Sequence, residues 1–358
     1  MADEPFVSRI VDKDSLADYL ETQLGPEKKF DVRHHGEGHS NETLFVTWGD
    51  QELVIRRPPP GETADSAHDV LREYRVTDSL QETNVRVPPT VAACEDHSVL
   101  GCDFYVMERL DGDVIRTEEP ERFGTVTARD RIGKELVERL ADIHAVDYEA
   151  VGLKEGEFGY PNGFTERQVE RWSKQIDWAA EVTKKAREVP ELDEIQNWLE
   201  ENVPETHPHT LVHGDYKLDN VMFAPGTPPE INAVFDWELS TLGDPLTDLG
   251  WMLSFWFDES DPDPPSSVGS LYETITMRDG YPSRSELVEQ YEMLTGFSFD
   301  NERFYRTLAV YKLAGLGEMF LRRHLEGNAD DPLYPEMHDG VPQLADRALR
   351  IIEGEEPL

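Results

Sequence analysis

The spacing of hydrophobic and polar positions changes character near Gly112. Upstream, residues 30–35, 43–48 and 52–56 are short runs rich in β-branched and aromatic side chains, separated by turns that contain Gly and Asp. Such runs predict a meander of strands. A helical segment over 67–80 and a strand over 104–110, closed by Asp111-Gly112, complete this first part. Downstream the period lengthens. Ile132, Leu136, Leu140 and Ile143 recur with charged residues between them, and the run ends at His144, which predicts an amphipathic helix with a structural His at its end. Residues 249–257, 287–294 and 304–325 read as further helices, and Trp172, Trp178 and Trp198 as packing anchors in a Lys/Glu-rich helical stretch. The expected fold class is α+β: a β-rich part over 1–110 and a mainly helical part over 111–358.

Within the helical part, 210–212 and 220–223 predict two short strands flanking a loop. That loop carries His213-Gly214-Asp215 and ends at Asn220; sixteen residues further, Asp236 closes the apolar run 233–235. Alone, an Asp beside a Gly reads as a turn residue. The order Asp215, Asn220, Asp236, followed by Asp244 and Asp248 in Gly243-Asp244-Pro245-Leu246-Thr247-Asp248, points to more. Phosphoryl transfer from a Mg-nucleotide needs a base for the acceptor hydroxyl and oxygen ligands for a hard cation. Asp215 fits the base, and Asn220 and Asp236 fit the metal ligands.

These three segments resemble the aminoglycoside phosphotransferase family, whose fold is similar to that of protein kinases and which includes choline and homoserine kinases. The resemblance covers nearly the whole chain. It implies a two-lobe architecture, with Asp215 as catalytic Asp, Asn220 and Asp236 as metal-binding residues, and Lys217 in a supporting role near the γ-phosphate. Trp237-Glu238 stands where protein kinases carry Phe-Gly. Asp215 to Asn220 taken with Leu53 to Gly61 looks most like the subgroup found fused to, or beside, acyl-CoA dehydrogenases, which implies a hydroxyacyl-CoA acceptor.

The first part of the chain is then expected to bind nucleotide. Between its first two strands lies Gly36-Glu37-Gly38-His39-Ser40, where Gly36, Gly38 and Ser40 would let backbone N–H groups and a hydroxyl approach phosphates; a plain hairpin turn would read the same. Arg56 ends the third strand where the family usually places a phosphate-binding Lys. Its fork binds oxygens differently from an ammonium. Arg57 would face the other side of the strand. Glu73 is the expected partner of Arg56, with a solvated helix face as the alternative. The 104–112 run looks like the hinge between lobes, so the backbone at Glu108 and Leu110 is expected to contact adenine.

Composition bounds the partners. The 358 residues include 74 Asp and Glu against 34 Lys and Arg, a formal net charge of −40. Such an excess repels a polyanion and leaves no basic stripe, which argues against nucleic acid. The acids are spread from Asp3 to Glu356, as expected of a surface suited to high salt and a halophilic source. The longest apolar stretch is far short of the roughly 20 residues that span a bilayer. The start, Met1 to Pro5, lacks the pattern of a secretory signal, so a cytoplasmic enzyme is expected. Cys94 and Cys102 read as buried thiols rather than a disulfide.

The sequence thus predicts an ATP- and Mg2+-dependent kinase whose partners are a nucleotide and a small-molecule hydroxyl acceptor. Its alternatives are an aminoglycoside or other small-alcohol phosphotransferase, a Mg-dependent phosphohydrolase with water as acceptor, and a non-catalytic nucleotide binder.

Overall fold

The computed structural model describes residues 4–36, 41–60, 69–205, 208–259, 261, 264, 268, 272, 274–328 and 331–358. The chain forms two compact units, Met1–Gly112 with Asn232–Ser240, and Asp113–Ile231 with Thr241–Leu358. The return of Asn232–Ser240 to the first unit, carrying Asp236 with it, was not anticipated by a single change-over at 110.

The first unit runs α1 (Glu4–Ile10), α2 (Lys13–Leu24), β1 (Phe30–His35), β2 (Glu42–Trp48), β3 (Gln51–Arg57), α3 (Val70–Ser79), β4 (Thr90–Cys94), α4 (His97–Leu100) and β5 (Phe104–Glu108). Its strands form one antiparallel sheet in the order β1-β2-β3-β5-β4. Side chains alternate between the faces of a strand, and β3 obeys this strictly. Leu53 and Ile55 join Leu16, Leu20, Leu44 and Val106 in one core, whereas Val54 packs with Val70, Tyr105 and Met107 in another. Arg56 therefore shares the Val54 face, and Arg57 the opposite one. The Asn232–Ser240 segment is tied to this unit by Val234 N–H donating to the Arg86 carbonyl (2.8 Å) and by Arg72 donating to the Ser240 carbonyl (2.9 Å).

The second unit contains α5 (Val126–His144), α6 (Phe164–Thr183), α7 (Glu191–Glu201), β6 (Thr210–Val212) and β7 (Val221–Phe223). After β8 (Ile231–Val234), it resumes with β9 (Thr241–Gly243), α8 (Leu246–Ser254), α9 (Arg284–Thr295), α10 (Glu302–Leu325) and α11 (Leu333–Glu353). The two short strands expected around the Asp215 loop form, and β6 pairs antiparallel with β9. The centre is α10, buried on nearly all sides from Phe304 to Ala314, as a helix surrounded by others must be. It approaches α8 closely because Gly250 lacks a side chain: a Cβ there would lie 2.8 Å from the Tyr305 carbonyl oxygen. Among the three tryptophans read as anchors, Trp172 is buried, but Trp178 is 45% exposed with the Arg322 guanidinium 3.7 Å over its ring. Cys94 and Cys102 are free thiols. Among the described residues, no helix is long and apolar enough to cross a membrane.

Past the end of α11, Glu356 gathers three buried cations. It accepts from Arg347 Nη2 (2.9 Å) and Arg306 Nη2 (3.2 Å), with Arg284 Nη1 at 3.9 Å. Burial would push its carboxyl up, but Arg347, with Arg306 and Arg284, outweighs that and holds it below the usual carboxylate range. Glu356→Gln leaves the buried Arg347 guanidinium without its carboxylate, while Arg306 keeps Glu302 and Arg284 keeps Asp258 and Asp261, and should cost about 3 kcal/mol of stability by urea unfolding. Because the folded-state value is depressed, the Glu356 contribution is present above the ordinary value of 4.5 and is lost as pH falls below it. A wild-type and variant stability gap unchanged across that window would contradict the assignment.

Candidate active site

The loop of the second unit that carries Asp215 is held by Asp248 on α8. Its Oδ2 accepts the His213 N–H at 2.6 Å and its Oδ1 accepts the Gly214 N–H at 2.8 Å. Oδ2 also lies 3.3 Å from His144 Nε2, and His144 Nδ1 is 2.7 Å from the Tyr291 hydroxyl. His144 is therefore a structural residue, as expected, and the folded chain supplies the partners that its sequence neighbours lack. Asp248 is fully buried; burial alone would raise its pKa, but the hydrogen bond and charge of His144, with those of His213, hold it below its usual value. The loop is also anchored by the buried Tyr216, whose hydroxyl donates to the Leu136 carbonyl of α5 at 2.7 Å.

On this support the Asp215 carboxylate is fixed at both oxygens. Trp251 Nε1 donates to Oδ1 at 2.7 Å, and Asn220 Nδ2 donates to Oδ2 at 2.9 Å and to the Asp215 carbonyl at 2.8 Å. The Asn220 amide spends its N–H2 on Asp215, which leaves its carbonyl oxygen as the remaining polar atom. Lys217 lies 2.8 Å from Asp219 Oδ2 and 5.3 Å from the Phe255 ring centroid. Sequence reasoning missed two residues here, Trp251 and Lys312, whose Nζ donates to the Gly214 carbonyl at 2.6 Å. An indole in an apolar run and a Lys in a helix carry no signal until the fold brings them to the loop.

The first unit holds a second constellation. Arg56 Nε is 3.6 Å from Glu73 Oε2 of α3, and its Nη1 donates to Thr43 Oγ1 at 2.8 Å. The ion pair is realised, and Glu73 is buried rather than on a solvated face. Tyr105 stands opposite Arg56 in register. Burial opposes the charge on Arg56, but Glu73, with Tyr105, Asp236 and Glu238, more than offsets this and raises its pKa, keeping it cationic. Asp236 has a left-handed backbone, φ 63°, two residues past the end of β8; a non-Gly residue held there is uncommon and concentrates at functional sites. Arg57 turns away, donating to the Ile10 carbonyl and, at 3.4 Å, to the Leu100 carbonyl, so it is a structural tether. Of the proposed hinge, the Glu108 N–H is taken by the Pro89 carbonyl at 2.8 Å. Among the described residues, the Leu110 N–H has no backbone partner. Gly36 precedes the segment 37–40, and Gly38 and Ser40 lie outside the described residues. No group of three or more His, Cys, Asp or Glu able to hold a metal occurs among the described residues.

An antiparallel five-stranded sheet with a buried Arg–Glu pair, and a helical unit presenting an Asp-x4-Asn loop, define the kinase-like phosphotransferase class. The phosphotransferase enzyme family profile matches residues 31–287, and the chain belongs to that family. Acyl-CoA dehydrogenase family member 11 of Gallus gallus is 33% identical over 370 residues, covering 98% of this chain and 45% of that protein. The chain thus spans less than half the length of such curated relatives. A solved structure from Ralstonia eutropha, presented as a candidate aminoglycoside phosphotransferase, has 30% identity and a TM-score of 0.81, covering 96% of this chain and 99% of that one. ADP-bound aminoglycoside phosphotransferase APH(2'')-Ib has 15% identity and a TM-score of 0.57 over 93% of this chain and 98% of that one, a likeness of fold. The resemblance to this family and to the subgroup associated with acyl-CoA dehydrogenases is borne out.

Asp248→Asn tests the support of the loop. The amide puts an N–H2 group in place of one of the two accepting oxygens, so the backbone N–H facing it loses its partner, at a cost of about 2 kcal/mol in urea unfolding. Unchanged stability would remove Asp248 from this role.

Proposed function

We propose that this protein is an ATP-dependent kinase that phosphorylates a hydroxyl group of a small anionic acceptor, a hydroxyacyl-CoA. The observation that carries the reading is the Asp215 carboxylate, which is aimed by one donor on each oxygen while its loop backbone is pinned by Asp248. Each oxygen keeps a lone pair, so one can accept a hydrogen bond from the acceptor hydroxyl. In the proposed step that hydroxyl oxygen attacks the γ-phosphorus and its proton passes to Asp215. The bond from the γ-phosphorus to the bridging oxygen breaks, and its electron pair leaves with ADP.

In this reading Arg56, oriented by Glu73, binds nucleotide phosphates, and Lys217 adds positive charge at the γ-phosphate. The backbone at Leu110 contacts adenine, with Glu108 contributing its carbonyl, and Gly36, Gly38 and Ser40 belong to the phosphate loop. Mg2+ takes oxygen ligands and keeps waters. The Asp236 carboxylate and the Asn220 amide oxygen fit such a donor set, and the bound ion would neutralise phosphate charge.

The acceptor assignment is supported by relatives named acyl-CoA dehydrogenase family member 11, of which this chain covers less than half, and by a groove of about 690 Å3 lined by α6 and by Met319 of α10. Arg167, Arg171 and Lys174 line it against a single carboxylate, Glu170. Three cations and one acid are unusual in a chain with 74 acids and 34 bases, and favour an anion over a cationic aminoglycoside.

ADP release measured with and without acceptor tests the reading: a hydroxyacyl-CoA should stimulate it, and aminoglycosides should not. Equal release without acceptor would instead favour a phosphohydrolase. Asp215→Ala should lower kcat by about 100-fold or more while leaving ATP affinity within a few-fold, and retained turnover would remove the base assignment. Arg56→Lys should keep ATP binding, whereas Arg56→Met should weaken it by about tenfold or more through loss of a charged hydrogen bond. Arg57→Met, on the other face, should lower stability and leave the ATP Kd unchanged. The reverse pattern in calorimetry would place the wrong arginine at the phosphates.

A further inference from the structure

The peptide unit that joins Gly214 to Asp215 is clamped at both ends. Its carbonyl accepts from Lys312 Nζ at 2.6 Å, and its N–H donates to His213 Nδ1 at 3.2 Å. Gly214 has φ +84°, a conformation that side chains disfavour, so the orientation of this peptide depends on outside partners. Lys312 touches the catalytic group by a second route. Its ammonium lies 3.7 Å from the Trp251 ring centroid, and Trp251 Nε1 is the donor to Asp215 Oδ1. A cation over an indole is attracted to the ring face, and by withdrawing electron density it makes the N–H a stronger donor along the chain of bonds.

We propose that Lys312 is a positioning residue for Asp215, fixing the carboxylate through the Gly214 carbonyl and the Trp251 indole, and that it acts only while its ammonium is charged. The proposal rests on the reading of Asp215 as the base. Lys312 belongs to α10, and the ionisable groups acting on it come from every element around it. Asp215 on the loop and Asp248 on α8 favour its charge; Arg171 on α6 and Lys217 on the loop oppose it. Burial is the largest influence, and it pulls Lys312 from 10.5 down to about 8. The ammonium is therefore lost at mildly alkaline pH, where an ordinary lysine stays charged.

Two measurements decide the matter. In steady-state kinetics with ATP and the acceptor that stimulates ADP release, Lys312→Met should lower kcat by about 100-fold, the effect of a small misplacement at the reacting centre, with the KM for ATP within about threefold. Wild type should lose kcat as pH rises through about 8. Lys312→Arg, which does not titrate in this range, should restore much of kcat and remove that alkaline limb. Independently of turnover, the Trp251 indole N–H signal in 15N-resolved NMR, assigned through Trp251→Phe, should titrate near pH 8 in wild type and not in Lys312→Met. If Lys312→Met keeps kcat and the alkaline limb, or the Trp251 signal does not titrate in wild type, the proposal is overturned. If wild type turns over no acceptor while the indole still titrates, the functional reading fails and the Lys312–Trp251 coupling stands.

Discussion

A single carboxylate, that of Asp248, fixes the backbone of the loop that carries Asp215. It is buried and ionised, and it accepts two consecutive backbone N–H groups, from His213 and Gly214. A charged acceptor makes stronger bonds than a neutral one, and in a buried setting the loss of either would leave an unsatisfied donor. The loop therefore has one backbone path. Along that path the side chain of Asp215 emerges between Trp251 and Asn220, and the Gly214 carbonyl emerges toward Lys312. Asp248 in turn is set by α8, which lies close to α10 because Gly250 admits the Tyr305 backbone.

The first unit solves a different problem with similar economy. A guanidinium must be kept charged and directed although it is largely buried. Glu73 of α3 supplies the opposing charge, Thr43 supplies a hydroxyl acceptor, and strand alternation sends the neighbouring Arg57 into the other core. One residue of register separates a phosphate-binding candidate from a structural tether.

Much of this was legible before any coordinates. The strands β1 to β3 follow from short β-rich runs between turns and helix α5 from a period near 3.6, most of α9 and α10 was anticipated as helix, and Asp215, Asn220 and Asp236 stand out by order and spacing. The pairing of Arg56 with Glu73 could be anticipated from a strand end followed by a helix. Less legible were features whose meaning is tertiary. Helices α1 and α2 precede any strong periodic signal, and Pro342 inside α11 argues locally against a helix that packing nevertheless supports. Trp178 read as a packing anchor because a large indole stood among charged residues, yet it is 45% exposed under Arg322. Lys312 and Trp251 gain their significance from contacts with residues 98 and 36 positions away. The return of residues 232–240 to the first unit likewise depends on hydrogen bonds to Arg72 and Arg86, which no local pattern encodes.

The central claim is that a phosphoryl group passes from ATP to an acceptor hydroxyl at Asp215. It is tested most directly by following the fate of that group by 31P NMR, with the protein, ATP, Mg2+ and a hydroxyacyl-CoA together in high salt. The account predicts that the γ-phosphate signal gives way to ADP and a new phosphate monoester on the acceptor, and that Asp215→Ala forms none. Release of inorganic phosphate alone, with the acceptor unchanged, would contradict it.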